Sequence, residues 1–171
     1  MTKRDNVVTF MGNPLTLVGP EIAVGMAAPD FQVVNNDLGP VTLEDCKGKV
    51  TIISAIPSLD TPVCDMETRR FNQEAQALGA AVKVLTVSMD LPFAQKRWCG
   101  NAGVESVQSV SDYQTASFGQ AYGVLIDGLR LLARAIFVLD TQGKIAYVQI
   151  VPELTHEPDY DAVLEAVKKL L

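Results

Sequence analysis

The sequence predicts a three-layer α/β domain, and three features carry that expectation. Residues 50–56 are rich in β-branched side chains and nearly free of charge, as a strand buried on both faces of a sheet is, and residues 82–88 form a second strand of this central type. A helical pattern follows each of them. Residues 133–140 and 144–151 then flank Thr141-Gln142-Gly143 as the arms of a hairpin would, and a closing helix is expected over 158–171.

Taken in order, residues 7–18 read as two short strands around Gly12-Asn13-Pro14. A loop runs from Gly25 to Phe31, and Val41-Thr42-Leu43 starts a short element that ends at Lys47-Gly48-Lys49. Pro57 stops the first central strand. Thr61 and Pro62 then supply a favoured cap and a favoured first helical residue. Val63, Met66, Phe71, Ala75 and Leu78 recur at helical spacing as an apolar stripe, which Gly79 ends. Asp90 is positioned to cap a helix that has Pro92 near its start, runs to about Cys99 and stops at Gly100. A strand near 107–110 and a helix near 115–122 follow. In the closing helix Tyr160, Val163, Leu164, Val167 and Leu170 share one face. With no repeat, linker or low-complexity tract, residues 1–171 are expected to form one domain.

Composition excludes several classes of function. The chain has 171 residues, of which 48% are hydrophobic and 20% charged, a balance that folds without help from metal or disulfide. A net charge of −6 argues against nucleic acid and anionic membrane as partners. No apolar run reaches the ~18 residues of a membrane helix, and no apolar stretch follows Lys3 and Arg4 as it would in a leader, so a cytoplasmic protein is expected. The three cysteines (Cys46, Cys64, Cys99) and one histidine (His156) are too few and too widely spaced for a zinc site, and their odd count does not read as a disulfide framework. His156 lies between Thr155 and Glu157 without a nucleophile motif elsewhere, so it reads as a solvent-facing loop residue. There is no glycine-rich nucleotide loop, and neither cofactor nor metal is expected. Cysteine chemistry remains.

Cys64 is the strongest candidate. It falls in the first turn of a helix, near unpaired backbone N–H groups and the positive end of the helix dipole, where a thiolate is favoured. The hydroxyl of Thr61 could bridge that thiolate and a substrate oxygen, while Pro57 and Pro62 hold the loop. The plainer reading of Cys64 is a small buried hydrophobe. For Cys46, between Asp45 and Lys47, an incidental thiol is the natural reading. Glu67, Arg69 and Arg70 read as a solvated helix face with local pairs, although an arginine there could touch the edge of a pocket.

The segment Pro57-Ser58-Leu59-Asp60-Thr61-Pro62-Val63-Cys64 resembles the active-site loop of the peroxiredoxins, and in particular of the thiol peroxidase subfamily, the atypical two-cysteine peroxiredoxins of thioredoxin-like fold. The resemblance continues through the segment from Ser88 to Cys99, through Leu132-Ala133-Arg134-Ala135, through the N-terminal hairpin and through Glu153-Leu154-Thr155 with Glu157-Pro158-Asp159-Tyr160. Trp98 departs from it, since Phe is commoner before the second cysteine, and Cys46 lies outside the pattern.

The resemblance implies a central mixed β-sheet flanked by helices, with an N-terminal β-hairpin. It implies that Cys64 is peroxidatic, attacking a hydroperoxide to leave a sulfenic acid. Thr61 would hydrogen-bond peroxide and thiolate, Arg134 would hold a positive charge beside both, and Pro57 would shield the site. Cys99 would resolve the sulfenic acid as an intrasubunit disulfide, with both helix ends unwinding locally and Trp98 moving with Cys99. Thioredoxin is the implied reductant and a homodimer the implied assembly. A dithiol oxidoreductase would want Cys-x-x-Cys, but the positions three residues either side of Cys64 hold Thr61 and Glu67. The alternative is a peroxide-sensing redox switch without steady turnover.

Overall fold

The computed structural model describes residues 1–171 and has at its centre a seven-stranded mixed sheet. Its strands are β3 (Gln32–Val34), β4 (Pro40–Thr42), β5 (Val50–Ala55), β6 (Val82–Ser88), β7 (Gln108–Ser111), β9 (Ala135–Leu139) and β10 (Ile145–Ile150), arranged β10-β9-β5-β6-β7-β3-β4. A smaller sheet joins the N-terminal hairpin, β1 (Lys3–Phe10) and β2 (Asn13–Val18), to β8 (Leu125–Ile126). Four α-helices complete the fold: α1 (Pro62–Leu78), α2 (Pro92–Ala102), α3 (Ser117–Ala121) and α4 (Tyr160–Lys168).

The parallel ladder β5-β6-β7 occupies the middle of the large sheet, and every residue of β5 is buried. Such a strand cannot alternate apolar and polar residues, because neither face meets water. Side chains still alternate in direction. Ile52, Val84, Ile136 and Val138 pack on one side with Phe71 and Ala75 of α1 and Val163 and Val167 of α4. Ile53, Leu85, Val87 and Phe137 pack on the other with Phe118 and Tyr122. Phe118 and Tyr122 stack at 4.4 Å, and Phe31 meets both edge-on. The expected three layers and mixed sheet are therefore present.

Several expected boundaries move. The hairpin begins at Lys3 rather than near residue 7. The arms of the later hairpin are shorter than expected, and β3 and β8 fall where no strand was expected. Asp90 does not cap α2: Leu91 occupies the cap position, and the Asp90 carboxylate instead accepts hydrogen bonds from Ser58 Oγ (2.7 Å), the Leu59 amide (2.8 Å) and Ser88 Oγ (2.7 Å). Nor does α2 stop at Gly100. It continues to Ala102, and the glycine that ends it is Gly103, whose φ of 66° is the left-handed conformation that terminates helices. On α1, Met66 is 49% exposed, whereas Glu67 and Thr68 are buried, so the inward face starts from Cys64 rather than from Val63 and Met66. The closing helix is shorter than expected and is capped by Asp159, which accepts from the Ala162 amide at 3.0 Å.

Asp112 receives the first amides of α3, from Phe118 (3.0 Å) and Gly119 (2.8 Å). Burial pushes its carboxyl up to about 6 against the pull of those amides. Because the folded value lies above the ordinary aspartate value of 3.8, this group's contribution to stability is fully present below about pH 4 and is lost as pH rises through about 6. Asp112→Asn should therefore flatten the fall in Tm between pH 4 and 6, as measured by thermal melts across that range.

Candidate active site

Cys64 lies in the first turn of α1, which begins just after the buried end of β5. Thr61 occupies the N-cap in an extended conformation, and Pro62 is the first helical residue. The Thr61 hydroxyl does not cap the helix. It donates to the Ser58 carbonyl at 2.8 Å, bracing the turn that leads into the helix. The Thr61 carbonyl accepts from the Asp65 amide at 2.9 Å, and Thr68 Oγ1 donates to the Cys64 carbonyl at 2.8 Å. Cys64 is fully buried beside Ile56 and Leu59, with Trp98 at the margin of this small cluster.

The sulfur's polar partner is Arg134, whose Nη1 lies 3.3 Å from Cys64 Sγ. Arg134 immediately precedes β9 and is only 2% exposed. Its Nε and Nη2 donate to the Leu154 carbonyl at 3.0 and 2.7 Å, and Nη1 also donates to Glu67 Oε2 at 2.6 Å. Glu67 is itself fully buried, with Oε1 accepting from Ser54 Oγ of β5 at 2.7 Å. Burial pushes the Glu67 carboxyl up, opposed by Arg134 and Ser54. A buried cation is tolerated only when paired and hydrogen-bonded, and here α1 and the Leu154 loop supply its partners while Ser54 of β5 holds Glu67.

The charge of Glu67 predicts a solvated helix face, but the structure buries it against Arg134. Its signal was its spacing: three residues after Cys64 and four before Phe71, it shares their face of α1. Arg69 and Arg70 do make the expected local pairs, with Asp65 (2.9 Å) and Glu74 (2.8 Å).

An apolar cavity of about 360 Å³ opens over the site. Pro57, Thr61, Val63, Leu131 and Arg134 line it, and Phe10, Met11 and Leu129 form its exposed rim. The structure thus gathers Cys64, Thr61, Pro57 and Arg134 into one place.

It does not bring Cys99 there. Cys99 is half-buried in the last turn of α2, its sulfur is 3.1 Å from Ser109 Oγ of β7, and it borders a different cleft of about 580 Å³ that contains Lys47, Lys49 and Lys83. All three cysteines are free. Cys46 is buried, and burial pushes its thiol up, away from the reactive form. His156 is exposed, as expected.

Comparison with known proteins accords with this geometry. The redoxin family pattern matches residues 23–164. The chain is 57% identical to the thiol peroxidase of Halalkalibacterium halodurans and 56% identical to that of Bacillus subtilis, each match covering 96% of this chain and 98% of the relative. A crystal structure of a peroxiredoxin-like protein from Aquifex aeolicus superposes with a TM-score of 0.91 at 47% identity, over 97% of this chain and 98% of that one. A thiol peroxidase structure from Chromobacterium violaceum, at 20% identity over 95% of each chain, shares the fold with a TM-score of 0.84. With a family pattern that spans residues 23–164 and relatives more than half identical over nearly their full length, the chain belongs to the redoxin family, among the thiol peroxidases.

Proposed function

We propose that the chain is a thiol-dependent peroxidase that reduces hydrogen peroxide and organic hydroperoxides to water or alcohols. The observation that carries the reading is the contact between Arg134 Nη1 and the buried Cys64 Sγ, with Arg134 also lining the apolar cavity.

The Cys64 thiolate attacks the terminal peroxide oxygen. The O–O bond breaks, Cys64 becomes a sulfenic acid, and the leaving oxyanion takes up a proton to become water or an alcohol. Arg134 stabilises the thiolate and then the negative charge that grows on the leaving oxygen, and it needs no reorganisation because three hydrogen bonds, two to the Leu154 carbonyl and one to Glu67, already fix it. The Thr61 hydroxyl turns from the Ser58 carbonyl toward the peroxide, with the amides of Val63 and Cys64 as further donors. Pro57 excludes water from one side. The Cys99 thiolate then attacks the Cys64 sulfur and expels hydroxide, leaving a Cys64–Cys99 disulfide, which the dithiol of thioredoxin reduces by exchange.

The cavity supports organic substrates, because its walls would desolvate an alkyl or aryl tail. A homodimer in contact through the exposed Phe10, Met11 and Leu129 at the cavity rim, acting in the cytoplasm where thiols stay reduced, completes the reading.

Three measurements test it. NADPH consumption with thioredoxin, thioredoxin reductase and cumene hydroperoxide should show steady turnover that is abolished in Cys64→Ser and reduced more than about tenfold in Cys99→Ser. Consumption of a single equivalent of peroxide without turnover would instead favour a redox switch. Leu129→Ser should raise KM for cumene hydroperoxide by roughly three- to tenfold while leaving hydrogen peroxide kinetics within about twofold. Glu67→Ala strands Arg134 in the interior and should cost about 3 kcal/mol or more, lowering Tm on the order of 10 °C, whereas Glu67→Gln retains a hydrogen-bonding side chain and should cost less.

A further inference from the structure

The neighbours of the two cysteines are bonded to each other while the two thiols are not. Asp65 follows Cys64 and Trp98 precedes Cys99, and Trp98 Nε1 donates to Asp65 Oδ1 at 3.0 Å. The other carboxylate oxygen, Oδ2, accepts from Arg69 Nε at 2.9 Å. The Arg69 guanidinium carbon sits 5.6 Å from the centroid of the Trp98 ring, and Nη1 donates to the Ala102 carbonyl at 3.3 Å. Through Asp65 and Arg69, α1 therefore grips the last turn of α2 at Trp98 and again at Ala102, with Cys99 in between.

This grip faces Cys99 away from Cys64. Consecutive helical side chains project about 100° apart, so a Trp98 that points at α1 turns Cys99 elsewhere, onto Ser109 of β7. Cys64 meanwhile points inward at Arg134. A disulfide requires Cα atoms within about 7 Å and β-carbons that face each other. Cys99 can meet that requirement only after the last turn of α2 has let go of α1.

We propose that Asp65, together with Arg69, is a positioning residue that sets the rate of disulfide formation by latching the last turn of α2 through Trp98. The proposal rests on the reading that Cys99 resolves the Cys64 sulfenic acid. With the latch closed, the Cys64 pocket is complete and peroxide reacts. With the latch open, Cys99 attacks the sulfenic sulfur, the S–S bond forms and hydroxide leaves. While the latch stays closed, a second hydroperoxide can transfer its terminal oxygen to the sulfenic acid, giving a sulfinic acid and releasing water or an alcohol. The latch thus also divides the sulfenic acid between these two fates.

Trp98 is the only tryptophan, so stopped-flow emission after a small excess of hydrogen peroxide reports the cycle directly. It should show a phase whose rate scales with peroxide, followed by one whose rate does not. In Asp65→Ala the second phase should accelerate about five- to tenfold, from the loss of a charge-assisted hydrogen bond in a partly solvated setting, while the first stays within about twofold. The sulfinic acid yield at high peroxide, read by intact mass, should fall in proportion. Asp65→Asn keeps an acceptor for Trp98 but weakens the hold on Arg69, so it should fall between Asp65→Ala and wild type, an order that general unfolding would not produce. Quenched samples analysed for the Cys64–Cys99 peptide give the same rates without fluorescence. An unchanged or slower second phase in Asp65→Ala overturns the latch. Absence of a Cys64–Cys99 peptide from oxidised wild type would instead overturn the underlying assignment of Cys99.

Discussion

A guanidinium that is almost wholly buried must be surrounded, and the site is built around that requirement. Arg134 enters the interior just before β9 and would be strongly destabilising there without partners. Its partners come from sequence-distant segments: Glu67 and Cys64 on α1 and the carbonyl of Leu154 in the loop after β10, with Ser54 of β5 holding Glu67 in turn. The same bonds join the first turns of α1, the large sheet and the 151–155 loop into one unit. Fold and chemistry therefore share a cause, since the arrangement that makes the buried charge tolerable also aims it at sulfur.

Glu67 and Cys64 share one nitrogen of one cation. In the proposed reaction the pocket must therefore accommodate two potential anions around a single guanidinium, and Ser54 and the burial of Glu67 decide how strongly the carboxylate competes with the thiolate. The second cysteine lies outside this unit. Cys99 belongs to the last turn of a helix held to α1 by the part-buried Trp98–Asp65 bond and the exposed Arg69–Ala102 bond, which are weak by comparison with the buried Arg134 network. A rigid pocket beside a helix end held by weaker bonds suits a reaction whose first step needs a fixed site and whose second needs movement.

Much of the fold was legible because its signals are local. Uncharged β-branched runs marked β5 and β6, Pro62 marked the start of α1, and Gly79 marked its end. Resemblance to a family groups Thr61, Cys64, Pro57 and Arg134, and in the structure Pro57, Thr61 and Arg134 line one cavity while Arg134 contacts Cys64. What escaped was decided by tertiary partners. Glu67 carries a charge and so reads as solvated until Arg134 is placed against it. Asp90 has the chemistry of a cap, but its carboxylate is taken by Ser58, Leu59 and Ser88. Gly100 looked like a terminator, yet the left-handed residue is Gly103. The bond between Asp65 and Trp98 joins residues 33 apart and left no local trace.

The proposed chemistry depends on the charge of Arg134 beside Cys64, and that charge can be replaced without stranding its partner. In the double variant Arg134→Met with Glu67→Gln the interior holds no lone ion, so the fold should persist with a cooperative melt. The second-order rate constant for hydrogen peroxide, followed by Trp98 emission, is predicted to fall at least about 100-fold from wild type. A folded double variant whose rate constant stays within about threefold of wild type would contradict this role of Arg134.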